Sequence, residues 1–182
     1  MKYLSAKIYV LAICAVTFIA SESFGEKALQ VGKVLPNAVL AQYGKPNLNL
    51  NSLKGKVKII SVVPQLNTPT CDEQTHRFSE TNGGLDQFVD ILTISTNSAE
   101  GQFQFAKKAK IGNLIFLSDS PSYDFGKRTG LLKSNFGYLK RAVLVADKNN
   151  VIRYVDLVPG GGLPNIEKAL KEAKKVLEES KG

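Results

Sequence analysis

A chain of 182 residues with 43% hydrophobic and 22% charged side chains has enough apolar material for one packed domain, which excludes a disordered or fibrous protein. Its formal charge of +8 is scattered, and the densest runs, Lys107-Lys108-Lys110 and Lys171-Lys174-Lys175, fall on expected helix surfaces, so no nucleic-acid partner is expected. Two cysteines are too few for a disulfide-stapled scaffold.

The first 25 residues read as a secretory signal peptide. Lys2 and Lys7 give a positive start, Ile8 to Ala20 is an uncharged apolar run of 13 residues, and Ser23 and Gly25 are small residues before a cleavage point after Gly25. A membrane span needs roughly 20 apolar residues. An uncleaved anchor is therefore the weaker alternative, and no stable membrane insertion is expected after cleavage. Ile13 is too large for the position before a lipidated cysteine, so Cys14 is not read as a lipid attachment site. Cleavage removes two positive charges and one negative one, leaving +7 on a domain spanning 26–182. The expected location is periplasmic or secreted. Oxidising compartments favour paired cysteines, yet the mature chain keeps one thiol, Cys71, which is either a reactive group or an inert buried one.

In the mature chain, Ala38-Val39-Leu40-Ala41 and Leu48-Asn49-Leu50, separated by Gly44-Lys45-Pro46, predict an N-terminal hairpin or edge extension. Val57 to Val63 is a near-continuous apolar, β-branched run, as in a strand buried on both faces, and Pro64 stops it. A helix is expected from Asp72 to about Thr81, ended by Gly83-Gly84, then a strand over Phe88 to Ser95 and a helix over Ala99 to Lys110. Leu114 to Leu117 reads as a strand and Tyr123 to Thr129 as a short helix. Arg141 to Ala146 and Val151 to Val158 flank the turn Asp147-Lys148-Asn149-Asn150, a hairpin signature. After the Gly160-Gly161-Gly162 loop, Ile166, Ala169, Leu170, Ala173, Val176 and Leu177 share one face of a helix over Asn165 to Ser180. The order βαβαβ then ββα predicts an α/β domain with a mixed central sheet flanked by helices, and a thioredoxin-like fold is the simplest architecture that fits.

Cys71 stands where the apolar strand hands over to the helix. There a thiol meets unpaired backbone N–H groups and the positive end of the helix dipole, both of which favour negative charge on sulfur. His76 lies five residues on, about 140° round an ideal helix, so a cysteine–histidine dyad is not expected; Gln74 and Thr75 lie nearer the Cys71 face.

Val31-Gly32 with Pro36, Leu53-Lys54-Gly55-Lys56, Ser61-Val62-Val63-Pro64, the run Thr68 to Thr75, Leu92-Thr93-Ile94-Ser95, Leu117-Ser118-Asp119 and Arg141-Ala142-Val143 together resemble the thiol peroxidase subfamily of the peroxiredoxins. The resemblance covers about residues 31 to 177. It implies reduction of hydrogen peroxide and organic hydroperoxides by Cys71 through a sulfenic acid, a homodimer, and no metal or organic cofactor. Thr68 would turn its hydroxyl and backbone toward the same pocket. Pro64 would wall the pocket without adding a donor. Arg141 would hold the thiolate and polarise the O–O bond. The blander roles are a turn threonine, a strand stop and a surface ion pair. Many members of the subfamily carry a second, resolving cysteine in the helix after Leu92-Thr93-Ile94-Ser95, and that position falls on Ala106 here. A one-cysteine peroxidase served by an external thiol reductant is the expectation. An exported peroxide sensor or thiol-based binding protein without efficient turnover, and a structural domain with an inert thiol, are the other readings.

Overall fold

The structure, a computed structural model, describes residues 28–181; the signal-peptide reading falls on residues outside that range. Among the described residues a seven-stranded mixed sheet runs in the order β2-β1-β5-β4-β3-β8-β9. Its strands are β1 (Val39–Gln42), β2 (Lys45–Asn49), β3 (Lys58–Val62), β4 (Asp90–Ser95), β5 (Ile115–Ser118), β8 (Ala142–Ala146) and β9 (Ile152–Leu157). Strands β3, β4 and β5 are parallel, and β8 runs antiparallel to both β3 and β9. The parallel strands are linked by α1 (Pro69–Glu80) and α2 (Ala99–Ala109). Every residue of β3 is buried, Lys58 and Ser61 included, as the near-continuous apolar run predicts of a strand covered on both faces.

Side chains of a strand alternate between faces, so Ile59, Val63, Val143 and Val145 share one layer with Phe78 of α1, Phe105 of α2 and the Ile166–Ala169–Ala173–Val176 stripe of α4 (Ile166–Glu179). Ile60, Val62, Ala142 and Leu144 face the other layer, with Leu35, Leu40 and Phe125 of α3 (Asp124–Thr129). The N-terminal hairpin forms as expected, but its turn is at Tyr43-Gly44, with Gly44 at a φ of 67°, and Lys45 and Pro46 belong to β2. It joins the central sheet through Ala41 opposite Ser118.

Two departures bear on function. Helix α1 begins at Pro69, three residues before its expected start, because Thr68 is extended at the N-cap and proline is favoured in the first helical turn, where its missing N–H costs nothing. A two-stranded ribbon, β6 (Leu132–Lys133) and β7 (Tyr138–Leu139), was not expected at all. It is seated on α3, where Gly126 is needed for close approach: a Cβ there would lie 2.5 Å from Leu139 Cδ2. Asp119, fully buried, caps that helix by accepting the Phe125 and Gly126 N–H groups at 2.8 Å each. Burial pushes its carboxyl above the usual range, and the two donors pull it back.

Candidate active site

The early start of α1 makes Cys71 its third residue, so the sulfur sits within the first turn, among the N–H groups that have no partner inside the helix. The side chain is 1% exposed. Directly before β8 lies Arg141, on the same sheet face as Val143, and it is 5% exposed. These two residues, 70 apart in sequence, meet: Arg141 Nη2 donates to Cys71 Sγ at 3.3 Å.

The other prong of the guanidinium donates to Gln74 Oε1 at 2.5 Å, and Gln74 Nε2 donates to Ser61 Oγ of β3 at 2.7 Å. Gln74 is fully buried and one helical turn after Cys71, so it faces the same way as the sulfur. It fixes the fork of Arg141 without adding a negative charge. Among the described residues no carboxylate pairs with Arg141, and its Nε has no hydrogen-bond partner. A buried cation with neutral partners attracts negative charge at the one polarisable atom in reach, Cys71 Sγ. In the sequence Gln74 lies near the Cys71 face, three residues on, and that spacing is the one signal of its part in the site.

Cys71 and Arg141 lie at the foot of a cleft of about 930 Å³ that Pro64 and Thr68 also line. Thr68 is exposed and donates its hydroxyl to Gln65 O at 3.2 Å. With its hydrogen committed there, the oxygen can accept a hydrogen bond from a hydroperoxide O–H. Pro64 is half-buried, and its carbonyl accepts from Thr96 Oγ1 at 3.3 Å. The β6–β7 ribbon and the Pro159–Gly161 turn complete the walls. His76 stays outside, bonded through Nδ1 to Glu80 at 2.7 Å, with Asp72 3.6 Å from Nε2. Ala106 is half-buried on α2, and Cys71 is the cysteine among the described residues.

A thiol held under a guanidinium at a helix start, on a thioredoxin-like sheet, defines the class of peroxide-reactive thiol proteins. The comparisons narrow it. The family described as redoxin matches residues 30–170. Thiol peroxidase of Streptococcus pneumoniae is 38% identical over 161 residues, covering 87% of this chain and 98% of that protein. Thiol peroxidase of Listeria innocua is 35% identical over 147 residues, covering 80% and 88%. The crystal structure of a peroxiredoxin-like protein from Aquifex aeolicus superposes with a TM-score of 0.74 at 30% identity, covering 81% of this chain and 88% of that one. The chain belongs to the redoxin family, and within it to the thiol peroxidase subfamily of the peroxiredoxins, without the resolving cysteine.

Proposed function

We propose that this protein is a thiol-dependent peroxidase of the one-cysteine type, reducing hydrogen peroxide and organic hydroperoxides. The carrying observation is the 3.3 Å contact from Arg141 Nη2 to Cys71 Sγ at the foot of an open cleft. The sulfur attacks the terminal peroxide oxygen. An S–O bond forms, the O–O bond breaks, sulfur gives up two electrons, and the leaving oxygen takes a proton to depart as water or alcohol. Arg141 stabilises negative charge on sulfur first and on the separating oxygens next, Thr68 orients the hydroperoxide, Pro64 excludes water, and Gln74 holds the guanidinium in place. The sulfenic acid then returns to thiol at the expense of an external thiol, since position 106 is alanine.

The targeting features of residues 1–25 support export to the periplasm or beyond, and the family resemblance supports a homodimer. Peroxide consumption with an excess of a small thiol tests the function. Many peroxides consumed per Cys71 are expected; one peroxide per Cys71 and then arrest would make the protein a sensor.

A further inference from the structure

We propose that Asn97 is the positioning residue of the loop from Pro64 to Thr68, and that it acts on the peroxide reaction by accepting a hydrogen bond from Leu66 N–H. The proposal rests on the peroxidase reading above, in which that loop presents Thr68 to the hydroperoxide.

The pairing of β3 with β4 ends where Val63 N–H donates to Ile94 O at 3.0 Å. Pro64 has no N–H to continue it. The chain from there to α1 is held instead by the loop that follows β4: Leu66 N–H donates to Asn97 Oδ1 at 2.7 Å, and Thr96 Oγ1 donates to Pro64 O at 3.3 Å. Leu66 stands midway between Pro64 and Thr68, the two loop residues at the ends of this segment that line the cleft, and it is 2% exposed. Asn67 then turns at a φ of 67°, a region asparagine tolerates, and Thr68 opens α1 by accepting from Asp72 N–H at 2.9 Å. The Thr68 hydroxyl is bonded within the loop, to Gln65 O, so its place depends on where the Leu66 anchor puts the loop.

Asn97 is itself braced against the central sheet. Its Oδ1 also accepts from Ser95 Oγ at 3.1 Å, and Ser95 Oγ accepts from Gln102 Nε2 of α2 at 2.9 Å. The Asn97 carbonyl accepts from Ser118 Oγ at 2.6 Å. Ser95 and Ser118 end β4 and β5 opposite one another, and they and Gln102 are buried. A backbone N–H can only donate, so the oxygen of the Asn97 amide faces Leu66. Its task is that of an acceptor: a carboxylate could take both donors, whereas a methyl group would leave a buried N–H unpaired and free the loop to shift.

The test measures, in each variant, the second-order rate of Cys71 oxidation by hydrogen peroxide and the rate of Cys71 alkylation by iodoacetamide. Both need the sulfur, and only the first needs Thr68. Asn97→Ala should slow oxidation by about ten- to a hundredfold, the scale on which a misplaced binding group acts, and alkylation by less than about threefold. Asn97→Asp, which keeps the acceptor, should restore the ratio of the two rates to within about threefold of the parent. In a Thr68→Val background, Asn97→Ala should cost about twofold or less, since both changes act through one group. Should Asn97→Ala fail to fold, Asn97→Gln, which moves the amide by one methylene, carries the same expectation. A parent-like oxidation rate in Asn97→Ala, equal losses of both rates, no rescue by Asn97→Asp, or full additivity with Thr68→Val would each overturn the proposal. If hydrogen peroxide does not oxidise Cys71 in the parent, the peroxidase reading falls and this proposal with it. If the parent is oxidised and the Asn97 variants break the pattern, only this proposal falls.

Discussion

Cys71→Ser is expected to lower peroxide reduction by at least about a thousandfold while leaving the fold in place. The substitution exchanges one small atom at a site that is 1% exposed and packed among Val63, Leu66 and Phe78 of the same core layer. The hydroxyl can take the hydrogen bond from Arg141 Nη2, so no buried donor is orphaned, and the stability change should stay near 1 kcal/mol. What the variant loses is a polarisable nucleophile: an alcohol at this position does not attack a peroxide oxygen. Unchanged turnover in Cys71→Ser, with circular dichroism and the unfolding midpoint matching the parent, would remove Cys71 from the reaction.

Arg141→Ala is expected to slow the single-turnover reaction with peroxide by about 10² to 10³-fold, the range found when one donor aimed at developing charge is deleted. This variant also leaves Gln74 Oε1 buried and without its partner, which costs about 1 to 3 kcal/mol of stability. Two further variants separate the effects. Arg141→Lys keeps the charge but not the fork, so one ammonium cannot serve Cys71 Sγ and Gln74 Oε1 in the same geometry, and most of the rate should still be lost. Gln74→Ala removes the support and keeps the guanidinium. Its loss in rate should be smaller and non-additive with that of Arg141→Ala, since both act through one contact. Stopped-flow oxidation matching the parent in Arg141→Ala would refute the role given to the guanidinium.

The parts of the fold legible in the sequence were those with a period or a long run. The apolar stretch from Val57 to Val63 announces a strand covered on both faces, and the stripe from Ile166 to Val176 announces the helix that packs on it. The β6–β7 ribbon was invisible because strands of two residues are too short to show alternation, and their pairing depends on the seat that Gly126 and Asp119 provide. The start of α1 lies three residues before the expected Asp72 because Thr68 is the N-cap and Pro69 opens the first turn, where no apolar period yet shows the helix.

At the site, the context of Cys71 could be read locally, since its neighbours in sequence create it. The pairing of Arg141 with Cys71 could not be derived that way. It depends on β8 lying antiparallel beside β3, a long-range register that no local pattern encodes, and it came from the resemblance to a family. Gln74 was passed over for a different reason. An uncharged amide on a helix looks solvated until the sheet beneath it supplies Ser61 and the neighbouring strand supplies Arg141.

Position 106 makes the account testable in one step. With alanine there, the oxidised sulfur has no partner in its own chain once Cys71 is the remaining cysteine. Intact-mass spectrometry of the chain produced without residues 1–25, after one equivalent of peroxide and with dimedone present, reads the outcome directly. The account predicts one dimedone adduct per chain, mapped to Cys71, and progression to the sulfinic acid when dimedone is omitted and peroxide is in excess. A rapidly formed disulfide-linked dimer with no adduct would mean that Cys71 resolves against a second subunit, and would contradict the one-cysteine mechanism.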